Sequence, residues 1–264
     1  MRAGDAWKLA RYDSVTCSDL SVVMGVNRDL SRQKLFKSKL DRIDPLENCG
    51  ATLRMFLTLG NEFEPAAKSA FERYWSLGEG KMGYTPGMTV HPTYDWFTGT
   101  PDYVIPESGI IVEFKTHWWP SISEASPIRS VSAIPLKYYL QVQGYLEIYG
   151  YDKGFLFSWT MANGWRMYMI QRDKALMAKV IQEAHLFYGL LQSARKMEGP
   201  DHAGTEASLK AANTLKFKRG EKARVIAAVY GSMMENTWPW GGANGAVGET
   251  TPVTIPDKES GGSE

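Results

Sequence analysis

Three polar side chains stand out by type and spacing: Asp102 in Thr100-Pro101-Asp102 and, after ten intervening residues, Glu113 and Lys115 on either side of Phe114. Alternate residues of a strand share a face, so Glu113 and Lys115 point together while Phe114 enters the opposite layer. Asp102 is expected at the end of the preceding strand, next to the Ser108-Gly109 turn and across from Glu113. Two carboxylates so placed form a hard-oxygen site for Mg²⁺ or Mn²⁺, and a lysine beside them can orient an attacking water. That set suits phosphodiester hydrolysis. Glu and Lys two apart on a strand also commonly form a solvated ion pair. Here Ile110, Ile111 and Val112 make the strand read as buried, and a buried strand that ends in charges needs a reason for desolvating them.

Two helices are expected to complete the site. From Gly60 to about Leu77, Phe63, Ala66, Ala67, Ala70, Phe71 and Tyr74 recur at helical spacing. Glu64 falls about 20° from Phe71 around the axis, at the edge of that apolar stripe. On a second helix, from Pro135 to Tyr149, Gln141 and Tyr145 share a face, with Lys137 one turn earlier.

The remaining chain frames these elements. Up to Gly60 it reads as short helices with a scatter of basic residues (Arg28, Arg32, Lys34, Lys37, Lys39, Arg42) that serves a solvated face or a DNA-facing one equally well. GMTVHP, WFTGTPDYVIP and GIIVEFK read as neighbouring strands, and GFLFSWT and GWRMYMIQ as a hairpin around Asn163-Gly164. A helix over Asp173 to Lys196 places Leu176, Val180, Ala184, Phe187 and Leu191 on one face. The order predicts an α/β fold, a mixed central sheet flanked by helices. Residues 1–200 are assigned to one domain and 201–231 to a C-terminal basic helix carrying Lys216, Lys218, Arg219, Lys222 and Arg224. Residues 232–264, acidic and rich in Gly and Pro, are expected to be a disordered tail.

Composition narrows the class. In 264 residues, 44% hydrophobic and 22% charged, the net charge is +1, but Glu235, Glu249, Asp257, Glu259 and Glu264 against Lys258 leave the last segment at −4 and the body at +5. A mildly basic body permits phosphate binding without demanding it. No apolar run suits a membrane span and the start lacks an apolar signal core, so a cytoplasmic protein is expected. Cys17 and Cys49 are too few for a disulfide framework or a four-cysteine zinc site, and His91, His117, His185 and His202 lack metal-ligand spacing.

The chain resembles the PD-(D/E)XK nucleases with their restriction-endonuclease-like core, and among them the YqaJ-like viral recombinases of phage lambda exonuclease type. GNEFEPAAKSAFERYW carries the helix glutamate Glu64, TPD the Pro-Asp motif, EFK the Glu-X-Lys motif, and YYLQVQGY the Gln-X-X-X-Tyr helix. AWKLARYDSVTCSDL is similar to a stretch whose arginine and serine contact a 5′-phosphate, which carries those roles to Arg11 and Ser18, with Thr100 as a third contact. The resemblance spans Ala6 to Lys196. It implies two divalent ions held by Glu64, Asp102, Glu113 and the Phe114 carbonyl, with Lys115 positioning water and Gln141 and Tyr145 steadying the site. It also implies 5′→3′ digestion of one strand of linear duplex DNA, a homo-oligomer, commonly a trimer, a single-strand annealing partner, and a phage or bacterial host cell. Lys137 is a further DNA-contact candidate, and Trp118-Trp119 either stacks on DNA or packs in a core. An endonuclease of the same fold and a non-catalytic DNA-binding protein built on it are the alternatives.

Overall fold

The computed structural model describes residues 3–44, 49–78, 81–117, 134–160, 164–197, 214–218 and 220–240. The N-terminal region folds as α1 (Ala3–Asp13), β1 (Val15–Thr16), a 3₁₀ turn (Cys17–Asp19), α2 (Leu20–Val23) and α3 (Arg32–Asp41). α4 (Ala51–Gly78) follows, then β2 (Thr89–Val90), β3 (Phe97–Gly99), β4 (Tyr103–Ile105) and β5 (Ile110–His117). The order ends with α5 (Leu136–Tyr149), β6 (Lys153–Thr160), β7 (Gly164–Gln171), α6 (Lys174–Met197), α7 (Glu221–Glu235) and β8 (Thr237–Trp240).

Among the described residues the strands form two sheets, a small one of order β1-β3-β2 and a main one of order β4-β5-β6-β7-β8. The expected run WFTGTPDYVIP is thus divided. β3 pairs parallel with β1, Thr100-Pro101-Asp102 crosses over, and β4 pairs antiparallel with β5. Pro101 lacks the N–H a continuous strand would donate, which explains the break at that point.

β5 lies between two apolar layers. On one face Ile111 and Leu156 pack under α5 and α6, and all five residues predicted for one face of α6 are buried. On the other, Phe114, Phe155 and Phe157 pack against Ala67, Phe71 and Trp75 of α4. Phe71 is fully buried, within 6 Å of the rings of Trp75, Tyr103, Phe114 and Phe157.

Several boundaries differ from the sequence reading. α4 begins at Ala51 rather than Gly60, because Ala, Leu, Arg and Met are strong helix formers and a helix tolerates one interior glycine. The helix predicted over 201–231 is not continuous: Gly220 has φ 77°, α7 begins after it, and Lys216 and Lys218 precede it. The tail reading is corrected over 232–240. Ser232 is helical and bonds Asp173 and Tyr139, and Thr237–Trp240 forms the edge strand beside β7. Pro239 masked that strand in the sequence, although an edge position is where a strand accepts proline. Residues 201–213, Arg219 and 241–264 lie outside the described residues, as does Asn163 of the predicted turn; β6 and β7 do pair as a hairpin across it.

Candidate active site

β4 stops short of β5, and the site occupies the unpaired edge this leaves. Tyr103 pairs with Val112, so among the described residues the next positions of β5 have no strand partner on that side. Asp102 supplies the missing acceptor: its Oδ2 takes the Phe114 N–H at 2.8 Å. It therefore precedes β4, correcting the expectation that it closes a strand beside the Ser108-Gly109 turn, which lies at the strand's other end.

Glu113 is 1% exposed, and its Oε1 accepts from both Lys115 Nζ and Gln141 Nε2, the latter at 2.7 Å. Gln141 Nε2 also reaches the Tyr145 hydroxyl at 2.7 Å, which donates to the Thr100 carbonyl at 3.1 Å. The Gln-X-X-X-Tyr spacing on α5 thus ties Glu113 to the segment that carries Asp102. Glu113 Oε2 is buried with no hydrogen-bond partner among the described residues.

Burial pushes the Glu113 carboxyl up to about 8, the Asp102 charge adds to the rise, and Lys115 opposes it. Lys115 moves upward as well, since Glu113 and Asp102 outweigh the effect of burial. Burial and the neighbouring Glu113 charge raise the Tyr145 hydroxyl and the Cys17 thiol. Cys17 packs closely here: a Cβ on Gly99 or Gly144 would lie 2.7 or 2.9 Å from its Sγ, so both positions require glycine.

The donor set fits a hard divalent cation in part. A buried, unpartnered carboxylate oxygen beside a second carboxylate is the environment such an ion satisfies. Glu64 is exposed on α4, one turn after Gly60, whose carbonyl accepts from Thr116 Oγ1 at 3.0 Å. Although exposed, its carboxyl is raised by partial desolvation beside the site and by Asp102, against the pull of Lys115 and Lys68. Among the described residues, however, no three His, Cys, Asp or Glu side chains stand close enough together to hold an ion.

The N-terminal candidates converge separately. β1 and β3 run parallel with Thr16 opposite Thr98, which carries Ser18 and Thr100 to the same end of the small sheet. Arg11 Nη2 donates to Ser18 Oγ at 3.3 Å. Lys137 does not continue the row of Gln141 and Tyr145; it turns to Asp29 at 2.9 Å, an opposite charge at the surface. Trp118 and Trp119 lie outside the described residues.

Sequence reasoning missed several residues. Tyr138 places its ring 5.2 Å from the Lys115 ammonium. Of the basic residues before Gly60, Lys39 is buried against Asp19 and Arg32 pairs with Glu183, so neither belongs to a solvated or DNA-facing surface. Thr16-x-x-Asp19 has capping-box spacing, and Lys39 follows buried Leu35 by four residues; these were the available signals.

The sequence profile of the YqaJ-like viral recombinase domain matches residues 6–152, more than half of the chain. No curated protein shows a significant match. Among solved structures, an alkaline exonuclease from Laribacter hongkongensis superposes with a TM-score of 0.56 at 22% identity, covering 72% of this chain and 93% of that one. The same exonuclease in complex with dAMP gives 0.56 at 23%, with the same coverage. A phage-related exonuclease from Haemophilus somnus 129PT gives 0.50 at 17%, covering 70% of this chain and 96% of that one. At these identities the structural likeness is one of fold, the PD-(D/E)XK type, and it agrees with the profile: the chain belongs to the YqaJ-like viral recombinase family.

Proposed function

We propose that the protein is a divalent-metal-dependent exonuclease that digests one strand of linear duplex DNA 5′→3′ and leaves 3′ single strands for recombination. The observation that carries this reading is that one short segment links two unlike sites: β3, paired through Thr98 with the Thr16 that leads into Ser18 and its Arg11 partner, runs on within four residues to Asp102 at the carboxylate–lysine cluster. An end-binding cation next to a hydrolytic centre favours attack close to a terminus. The exonuclease names of the fold neighbours support it.

In this reading Asp102, Glu113 and the Phe114 carbonyl would hold Mg²⁺, or Mn²⁺ in its place, with Glu64 of α4 as the further carboxylate of a two-ion site. A metal bound there would supply Lewis-acid chemistry, polarising the phosphodiester and lowering the pKa of a water. Lys115 orients that water and stabilises negative charge as it develops on the phosphoryl oxygens. Gln141 and Tyr145 hold Glu113 in place, and Arg11, Ser18 and Thr100 receive the 5′-phosphate. Trp118, Trp119 and Lys137 remain candidate DNA contacts. A ring-forming homo-oligomer, a trimer by resemblance, an annealing partner for the 3′ strand and a cytoplasmic setting in a phage-infected or bacterial cell complete the proposal. The nuclease domain is not bounded at residue 200, because α7 and β8 join the same core and main sheet.

End-labelled linear duplex with and without a 5′-phosphate, alongside closed circular DNA, in Mg²⁺ and in EDTA, tests it. Stepwise nucleotide release from phosphorylated 5′ ends with circles intact is expected. Cut circles would mean an endonuclease, and no metal-dependent cleavage would mean a binding protein.

A further inference from the structure

Among the described residues, the buried Asp, Glu, Lys and Arg side chains are Glu113, Asp19 and Lys39; only the first belongs to the carboxylate–lysine cluster. Lys39 is 3% exposed on α3 and pairs with Asp19 Oδ2 at 2.8 Å. A buried ion pair repays its desolvation poorly, so its presence calls for a geometric purpose. The partners of Lys39 indicate one.

Its ammonium donates to the Arg11 carbonyl at 2.7 Å and the Ser14 carbonyl at 2.8 Å. These lie at the C-terminal end of α1, where carbonyls have no helical partner and a cation is favoured. Asp19 Oδ2 in turn accepts from the Thr16 N–H at 2.7 Å and the Thr16 hydroxyl at 2.8 Å. Thr16 Oγ1 lies 2.9 Å from Ser18 Oγ, which accepts from Arg11. The contacts close a ring from Lys39 through Arg11, Ser18, Thr16 and Asp19 back to Lys39. Arg195, from α6, reinforces it by donating to the Tyr12 carbonyl at 3.1 Å and the Lys39 carbonyl at 2.9 Å.

We propose that Lys39, with Asp19, is a positioning residue for recognition of the 5′-phosphate: it locks the end of α1 that bears Arg11 to the turn that bears Ser18. The inference rests on the anion-pocket reading above and adds what fixes the pocket's shape. Arg11 has a long side chain and Ser18 a short one, so an anion held between them depends on the relative placement of their backbones. Lys39 sets that placement from a third element.

The test uses the full chain and linear duplexes with a 5′-phosphate or a 5′-hydroxyl. Wild type, Arg11→Ala, Lys39→Met and the double variant Asp19→Asn/Lys39→Met are compared by KM and kcat for nucleotide release. Fluorescence anisotropy of duplex binding in EDTA adds a readout free of turnover. Lys39→Met should raise KM for phosphorylated ends about tenfold, the scale of losing an orienting partner, with kcat changed less than about twofold. Preference for phosphorylated over hydroxyl ends in EDTA should shrink by a similar factor. The double variant leaves no unpaired buried charge, so it keeps a cooperative thermal transition if Lys39→Met does not, and it should show the same loss. Folded Lys39 variants that retain the wild-type preference while Arg11→Ala loses it would overturn the role of Lys39 alone. A wild type indifferent to the 5′-phosphate would remove the pocket, and this proposal with it.

Discussion

The carboxylate–lysine cluster and the Arg11–Ser18 corner are built by opposite means. Glu113 and Lys115 project from one strand, and that strand's pleat alone makes them neighbours. Arg11 and Ser18 sit on a helix end and a tight turn, and their relation depends on Lys39 and Arg195, which come from distant parts of the chain. In the proposed reading, the centre that presents charge to a phosphate sits on a strand packed between two apolar layers, whereas the corner that fits a terminus is assembled from several pieces.

The sharpest test of this contrast removes the charge from the strand and leaves its shape. Glu113→Gln should reduce turnover by about a thousandfold or more while duplex binding persists, since electrostatic and metal-assisted terms dominate such reactions. Single-turnover kinetics beside anisotropy would check it, and residual wild-type turnover would take Glu113 out of the chemistry. A second test attacks the support. Phe71 is fully buried behind Phe114, and Phe71→Ala should destabilise the fold by about 3–5 kcal/mol, measured by urea denaturation. A loss below about 1 kcal/mol would mean that the layer under β5 is not what makes it rigid.

The smallest expected effect follows pH. With its carboxyl pushed up to about 8, Glu113 makes a proton compete with Mn²⁺ for its oxygens as pH falls below that value. Affinity for Mn²⁺, followed by calorimetry, should rise up to about tenfold per pH unit and level off above about 8. Without metal the sign for stability reverses. A carboxyl whose folded-state pKa is raised contributes stability below its ordinary range and loses it as pH climbs through about 8. Thermal midpoints in EDTA should fall along that limb, and Glu113→Gln should flatten it.

What the sequence disclosed follows the same division. The paired faces of β5, the buried stripe of α6 and the i, i+4 pair Gln141 and Tyr145 all rest on local periodicity, so they were legible. Arg11 and Ser18 were reached only through resemblance. Lys39 was not reached, because two of its acceptors are backbone carbonyls 25 and 28 residues away, and no side-chain pattern announces a carbonyl. The crossover at Pro101 looked like the interior of one strand, and β8 was hidden by its proline and by the glycines that follow. Lys137 lies on the helix one turn before Gln141, as its spacing predicts, but its ammonium meets Asp29 at the surface, a partner from a distant segment that helical spacing cannot announce.

Because β5 is held by β4 and β6 and faces both apolar layers, it belongs to two cores at once. No small fluctuation can loosen one side without disturbing the other, so the backbone amides of Ile111 and Val112 should exchange with solvent only when the whole domain opens. The slowest clock in the molecule then runs beneath Glu113. Faster motion is left to its surroundings, above all the outer half of α4, where Leu53, Met55, Phe56 and Leu57 are exposed and form part of neither core.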